Sequence, residues 1–195
     1  MGRLIRIKNE NAHRRGCGRH AILMGWLGIW LLSGNATAGN SHHNRWVAEG
    51  VTHSDRGNVV LIVDKALHQM RLLRAGQAVH TYNVELGMET EAEGGWRPTP
   101  VGVFDLKYKS YTKYYKALLF RMPGYFEIHG SGTGLGKRGQ DWTWGCIALS
   151  DRDMDDLFER IGIEENGIPV SSRRRARALK NARLIIIPEG LDTML

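Results

Sequence analysis

The sequence predicts a mainly β domain, a sandwich or open barrel with one clear helix. Three observations carry this. At least six short runs are β-branched or alternate apolar with polar residues, the period of a strand. One segment alone repeats apolar residues at helical spacing between recognisable caps. Strands and helical segments do not alternate as they would in a βαβ fold.

Taken in order, residues 1–20 are polar and basic, residues 21–32 (AILMGWLGIWLL) form a 12-residue apolar run, and Ser33-Gly34-Asn35 breaks it before Ala36-Thr37-Ala38. A basic leader, a short apolar core and a small-x-small site make a secretory signal peptide over residues 1–38, with cleavage after Ala38. The run is shorter than the roughly 20 residues that span a bilayer. The other reading is an uncleaved anchor. Arg14-Arg15 hints at twin-arginine export, and Cys17 lies before the apolar run, where it cannot serve a lipoprotein. The expected location is the periplasm or cell envelope, with no membrane span after processing.

Residues 39–57 are polar and without period, and read as a tail whose three histidines are solvated. Residues 58–63 (NVVLIV) are a β-branched strand; residues 67–74 and 78–86 alternate around the turn Ala75-Gly76-Gln77. Residues 87–100 are a loop, 101–107 a strand, 110–115 aromatic and polar without a clear period, and 125–129 a strand. Six glycines among residues 130–145 leave that stretch a loop. Ser150 is a helix N-cap followed by acids at 151, 153, 155 and 156. Met154, Leu157, Phe158 and Ile161 share one apolar face, and Gly162 ends the helix. Residues 168–170 and 184–187 are short strands. The expected organisation is a signal peptide at 1–38, a tail at 39–57, one domain at 58–187 and a C-terminal tail at 188–195.

Composition excludes some functions. The 195 residues are 42% hydrophobic and 24% charged, an ordinary globular balance. The net charge of +7 belongs mostly to residues 1–38, which hold six basic side chains and one acid; residues 39–195 hold 21 basic and 19 acidic. A near-neutral body gives no argument for nucleic acid. Arg173, Arg174, Arg175, Arg177, Lys180 and Arg183 are dense enough to mark a solvated loop or helix face, or else a surface docking on an anionic envelope polymer.

Removal of the leader takes Cys17 and leaves one thiol, Cys146, so an exported chain has no internal disulfide framework. That thiol is an intermolecular partner, a reactive group or a buried inert cysteine. Nucleophilic chemistry needs a thiol, an imidazole to take its proton, an orienting group and donors for the oxyanion. His129 ends a strand and is the candidate base; the backbone N–H groups of Gly145 and Cys146 are oxyanion candidates. Cys146 precedes the helix, so the dipole does little for it and His129 is its main activator. Trp142 and Trp144 either wall the cleft or are core aromatics. Asp141 orients His129, binds a substrate amine or is a solvated loop acid, and Tyr111, Tyr114 and Tyr115 are candidates for a flap. A zinc site is disfavoured because no third or fourth ligand stands at metal spacing. No cofactor is called for.

Ile128-His129-Gly130, the glycine loop and Thr143-Trp144-Gly145-Cys146-Ile147 together resemble the signature of the YkuD-type L,D-transpeptidases, a His-Gly followed by Ser/Thr-x-Gly-Cys. Val63-Asp64-Lys65, Val84-Glu85-Leu86-Gly87, Arg97-Pro98-Thr99-Pro100-Val101-Gly102-Val103-Phe104 and Gly167-Ile168-Pro169-Val170 resemble further elements of that domain, in order, over residues 58–187. The resemblance implies a β-rich fold with a Cys nucleophile and a His base and the carbonyl of Gly130 as the third member; Asp141, Trp142, Thr143 and Trp144 are the candidate substrate contacts. It implies cleavage of the L,D bond after diaminopimelate in a peptidoglycan stem peptide, a reaction of cell-wall biogenesis or turnover and of cell shape. The acyl group passes to a peptidoglycan or lipoprotein amine, or to water.

Two positions depart from the pattern. Trp144 stands where the family commonly has His, and Ala148 where it commonly has Arg. If that Arg binds a stem carboxylate, its charge must come from elsewhere, such as Lys137, Arg138 or Arg152. Gly-Cys-Ile-Ala-Leu is similar to the YafK-like branch, some of whose members hydrolyse. The expected activity is L,D-transpeptidation; the alternatives are an L,D-carboxypeptidase or endopeptidase, and a non-catalytic wall-binding module.

Overall fold

The computed structural model describes residues 38–88, 97–109, 113–121, 126–132 and 141–193. The leader with Cys17, Tyr111, and the loop with Lys137 and Arg138 lie outside these residues.

A five-stranded sheet has the order β3-β2-β1-β11-β4, from β1 (Val60–Asp64), β2 (Gln69–Arg74), β3 (Gln77–Asn83), β4 (Gly102–Asp105) and β11 (Arg183–Ile187). A four-stranded sheet runs β5 (Lys107–Lys109), β6 (Ala117–Arg121), β7 (Phe126–Gly130), β8 (Ile147–Leu149). A small hairpin joins β9 (Glu164–Glu165) to β10 (Ile168–Pro169). The helices are α1 (Ala38–Asp55), α2 (Asp151–Ile161) and α3 (Ser172–Lys180). The fold is mainly β, and among the described residues no barrel closes.

β1 and β11 pair in parallel at the centre of the first sheet, and both are buried on both faces. Leu61, Val63, Leu184 and Ile186 enter the main core with Leu118, Ile128, Ile147 and Leu149 of the second sheet and the α2 face Met154, Leu157, Phe158 and Ile161. Val60, Ile62, Ile185 and Ile187 point the other way, into a second core closed by Val47, Trp46 and Val51 of α1. Unbroken apolar strands need cover on both sides, and here α1 supplies the second cover.

Residues 39–57 are therefore not a tail. The face that α1 presents includes Gly50 and Ser54 beside Trp46, Val47 and Val51, so its helical period is muted in the sequence. Gly50 packs so close to β11 that a Cβ there would sit 2.5 Å from Ile185 Cδ1. Ser54 is buried; its Oγ accepts from Gly76 N at 2.9 Å and its carbonyl from Ala75 N at 3.1 Å, tying the helix end to the β2–β3 turn. His53 is not simply solvated, since its Nε2 meets Asn181 O at 2.5 Å.

Residues 188–193 are likewise anchored rather than free: Leu191 is buried, and its N–H donates to Asp64 Oδ2 at 2.9 Å. The strand expected over 101–107 is two strands in two sheets, divided at buried Leu106. α3 adds to the one helix expected with clear caps. α2 keeps its caps: Ser150 Oγ accepts from Asp153 N at 3.0 Å, and Gly162 adopts a left-handed φ of 79°. Among the described residues no helix is long and apolar enough to cross a membrane.

Candidate active site

β7 and β8 pair in parallel with Ile128 opposite Ile147 and His129 opposite Ala148. Ile128, Ile147 and Leu149 fill the main core. Strand alternation turns His129 and Ala148 to the opposite face, and Cys146 immediately precedes β8 on that same parity. Residues 85–87 clamp this edge. Glu85 and Ala148 exchange two backbone hydrogen bonds, at 2.9 and 2.8 Å, and Thr143 N donates to Leu86 O at 3.0 Å. The Cys146 carbonyl accepts from two hydroxyls, Thr143 Oγ1 at 2.7 Å and Thr99 Oγ1 at 3.2 Å; Thr99 in turn accepts from Gly87 N at 2.7 Å.

Gly145 needs to be glycine for two reasons. Its φ is 92°, in the left-handed region. A Cβ would also run into the Phe126 ring. Gly87 is pressed against it: a Cβ on Gly87 would lie 2.6 Å from Gly145 N.

His129 is buried, and its Nδ1 lies 2.8 Å from Gly130 O. A carbonyl only accepts, so Nδ1 carries the hydrogen, and in the neutral ring Nε2 keeps the lone pair. Tyr114 stacks on the imidazole at 4.4 Å and 13°, and Trp142 meets it edge-on at 6.1 Å and 66°. Gly130 N donates to Tyr115 O at 2.7 Å, which fixes Tyr114 beside the ring. The Trp142 indole N–H donates to the carboxylate of buried Glu85.

A cleft of about 380 Å³ is lined by Lys113, Tyr114, His129, Trp142, Thr143, Trp144 and Cys146. Cys146 is half-buried, and burial pushes its thiol up to about 11. The Glu127 carboxylate pushes the same way, while a hydrogen bond from the Glu127 backbone and the Lys109 charge oppose it. At neutral pH the resting group is a thiol, so a nucleophile here has to lose its proton as it attacks.

The structure gathers Cys146, His129, Trp142, Thr143 and Trp144 around one cleft. Trp144 stands at its rim, 56% exposed, and Thr143 is buried with its hydroxyl on the Cys146 carbonyl. Asp141 does not orient His129: its carboxylate pairs with His68 Nε2 at 2.9 Å, and Gly130 O holds the imidazole instead. Tyr115 turns to α2, its hydroxyl donating to Asp155 Oδ1 at 2.8 Å, so Tyr114 is the described tyrosine at the cleft. Ala148 is fully buried. Among the described residues, Arg152 does not line the cleft and Lys113 is the one cation that does. Sequence reasoning passed over Lys113 and Glu85; the resemblance placed Glu85 in a Leu-Gly element without a side-chain role. Among the described residues no three His, Cys, Asp or Glu side chains are grouped to hold a metal.

The YkuD L,D-transpeptidase catalytic domain family matches residues 58–171, more than half of the chain, and the protein belongs to that family. No curated protein matches. Solved structures that the chain matches include an L,D-transpeptidase from Xylanimonas cellulosilytica, 18% identical, with TM-score 0.45, 67% of this chain covered and 61% of that one. The helical cell shape determining protein Pgp2 of Campylobacter jejuni is 16% identical, with TM-score 0.48 over 76% of this chain and 56% of that one. An L,D-transpeptidase from Mycobacterium smegmatis is 18% identical, with TM-score 0.43 over 67% and 58%. The chain thus spans less than two thirds of the length of these structures.

Proposed function

We propose that the protein is a cysteine acyltransferase of the peptidoglycan L,D-transpeptidase type, exported to the cell envelope by its leader. The observation that carries this reading is the single cleft holding Cys146 and a tautomerically fixed His129. In the reaction Cys146 Sγ attacks the carbonyl carbon of the L,D bond while its proton passes to His129 Nε2. The oxyanion meets the backbone N–H groups of Gly145 and Cys146. His129 returns the proton to the departing amine as the C–N bond breaks, leaving a thioester on Cys146. An acceptor amine then attacks the thioester, giving its proton to His129, and the thiolate leaves and is reprotonated.

The surrounding groups divide the work. Gly130 O holds the imidazole, Thr143 and Thr99 pin the Cys146 carbonyl, and Trp142 and Trp144 flank the stem peptide. Lys113 supplies positive charge for a substrate carboxylate, since Ala148 brings none.

The deciding experiment is incubation of the protein with diaminopimelate-containing muropeptides followed by mass analysis. Crosslinked dimers that vanish with Cys146→Ser are expected. Tripeptides without dimers make water the acceptor, and unchanged input removes the catalytic reading.

A further inference from the structure

α3 carries more positive charge than its packing uses. Without Arg173, Arg174, Arg175, Arg177, Lys180 and Arg183, the remaining 15 basic side chains of residues 39–195 face 19 acidic ones, so the cations of this body are concentrated at one place. Three of the six have structural duties. Arg174 pairs with Glu165 at 3.1 Å, Arg183 pairs with Asp105 at 2.8 Å, and Arg175 lies 4.5 Å over the Tyr108 ring. Arg173, Arg177 and Lys180 are exposed and have no acidic partner among the described residues. They stand at i, i+4 and i+7, one row on one helix face about 10 Å long, and line a groove of about 570 Å³.

Beside this row stands the β9–β10 hairpin. Ile168 is 69% exposed, more than any other large apolar side chain of the described residues. It pairs in register with Glu165, whose carboxylate is the one held by Arg174, so one ion pair links the apolar tip to the basic helix. This surface lies outside the Cys146 cleft.

We infer that this face binds the surface of an anionic phospholipid bilayer. Phosphate headgroups match the unpaired cations, and an apolar side chain among them gains by entering the acyl boundary. A polyanionic glycan would meet the cations equally well and leave Ile168 in water, which is why lipid is the better fit.

The test is hydrogen exchange on the full chain with vesicles of equal parts phosphatidylglycerol and phosphatidylcholine, with pure phosphatidylcholine vesicles, and with insoluble peptidoglycan. A local readout over residues 165–180 separates this face from the basic, apolar leader. Slower exchange there, by about threefold or more, is expected with anionic vesicles only. The triple reversal R173E/R177E/K180E should weaken vesicle binding about a hundredfold beyond whatever the leader contributes, and Ile168→Ser should weaken it further in the wild-type charge background. Unchanged exchange over 165–180 on bound or unbound vesicles overturns the inference. So does equal protection by neutral vesicles, or protection by peptidoglycan without protection by lipid.

Discussion

Trp142 donates its indole N–H to Glu85, and the same ring meets the edge of the His129 imidazole. A buried carboxylate on the segment that clamps β8 therefore sets the wall against which the candidate base rests. Glu85→Ala leaves the indole N–H without its acceptor and should cost about 1–3 kcal/mol in urea unfolding. Glu85→Gln keeps an acceptor oxygen and should recover most of that loss. Equal losses in the two variants would show that the hydrogen bond does not matter.

The Cys146 thiol, pushed up to about 11 by burial, governs alkylation of the free protein. A raised thiol pKa means less thiolate at any lower pH, so labelling should be slow at neutral pH and climb about tenfold per pH unit through the alkaline range. Stopped labelling followed by intact mass gives the profile. A plateau near neutral pH would show a thiolate already present.

Glu127 raises that thiol pKa while its partner Lys109 lowers it. Glu127→Gln removes the opposing negative charge and leaves the lysine, so the alkylation profile should move to lower pH. Lys109→Met should move it to higher pH. Shifts of the same sign in both would reject the electrostatic account.

His129→Ala should slow acylation of Cys146 by an acylating substrate about 10²–10⁴-fold, the usual contribution of a positioned base. Alkylation of the free thiol should change far less, because burial is the largest influence on its pKa. If both rates fall together, the substitution has disturbed the fold of the cleft instead.

Gly145→Ala combines a left-handed φ of 92° with a collision against the Phe126 ring. The loss should be about 3 kcal/mol or more, read from unfolding. Adding Phe126→Ala should recover part of the cost relative to Phe126→Ala alone, leaving the backbone penalty. Full additivity of the two losses would mean that the ring is not the obstacle.

Local patterns made much of this molecule legible in advance. α2 announced itself because Ser150, the early acids and Gly162 act within a few residues of one another. The strands at 58–63 and 184–187 were visible for the same reason. α1 was hidden because Gly50 and Ser54 occupy its packed face. The clue lay elsewhere: β1 and β11 are apolar at successive positions, and such strands require cover on both sides. At the cleft, the resemblance singled out Cys146 and His129, whereas Lys113 and Glu85 stand there through pairings between distant segments that no local spacing encodes. The Asp141–His68 pair likewise joins segments that only the fold brings together.

The parallel pairing of β1 with β11 joins Val60 to Arg183, residues more than a hundred positions apart. The two innermost strands of the larger sheet thus come from opposite ends of the domain. An emerging chain can form the β1–β2–β3 meander early, yet that meander must wait for the last strand before its central edge is satisfied. A chain that stops before β11 therefore leaves one edge of β1, apolar at four of its five residues, open to join its neighbours in aggregates.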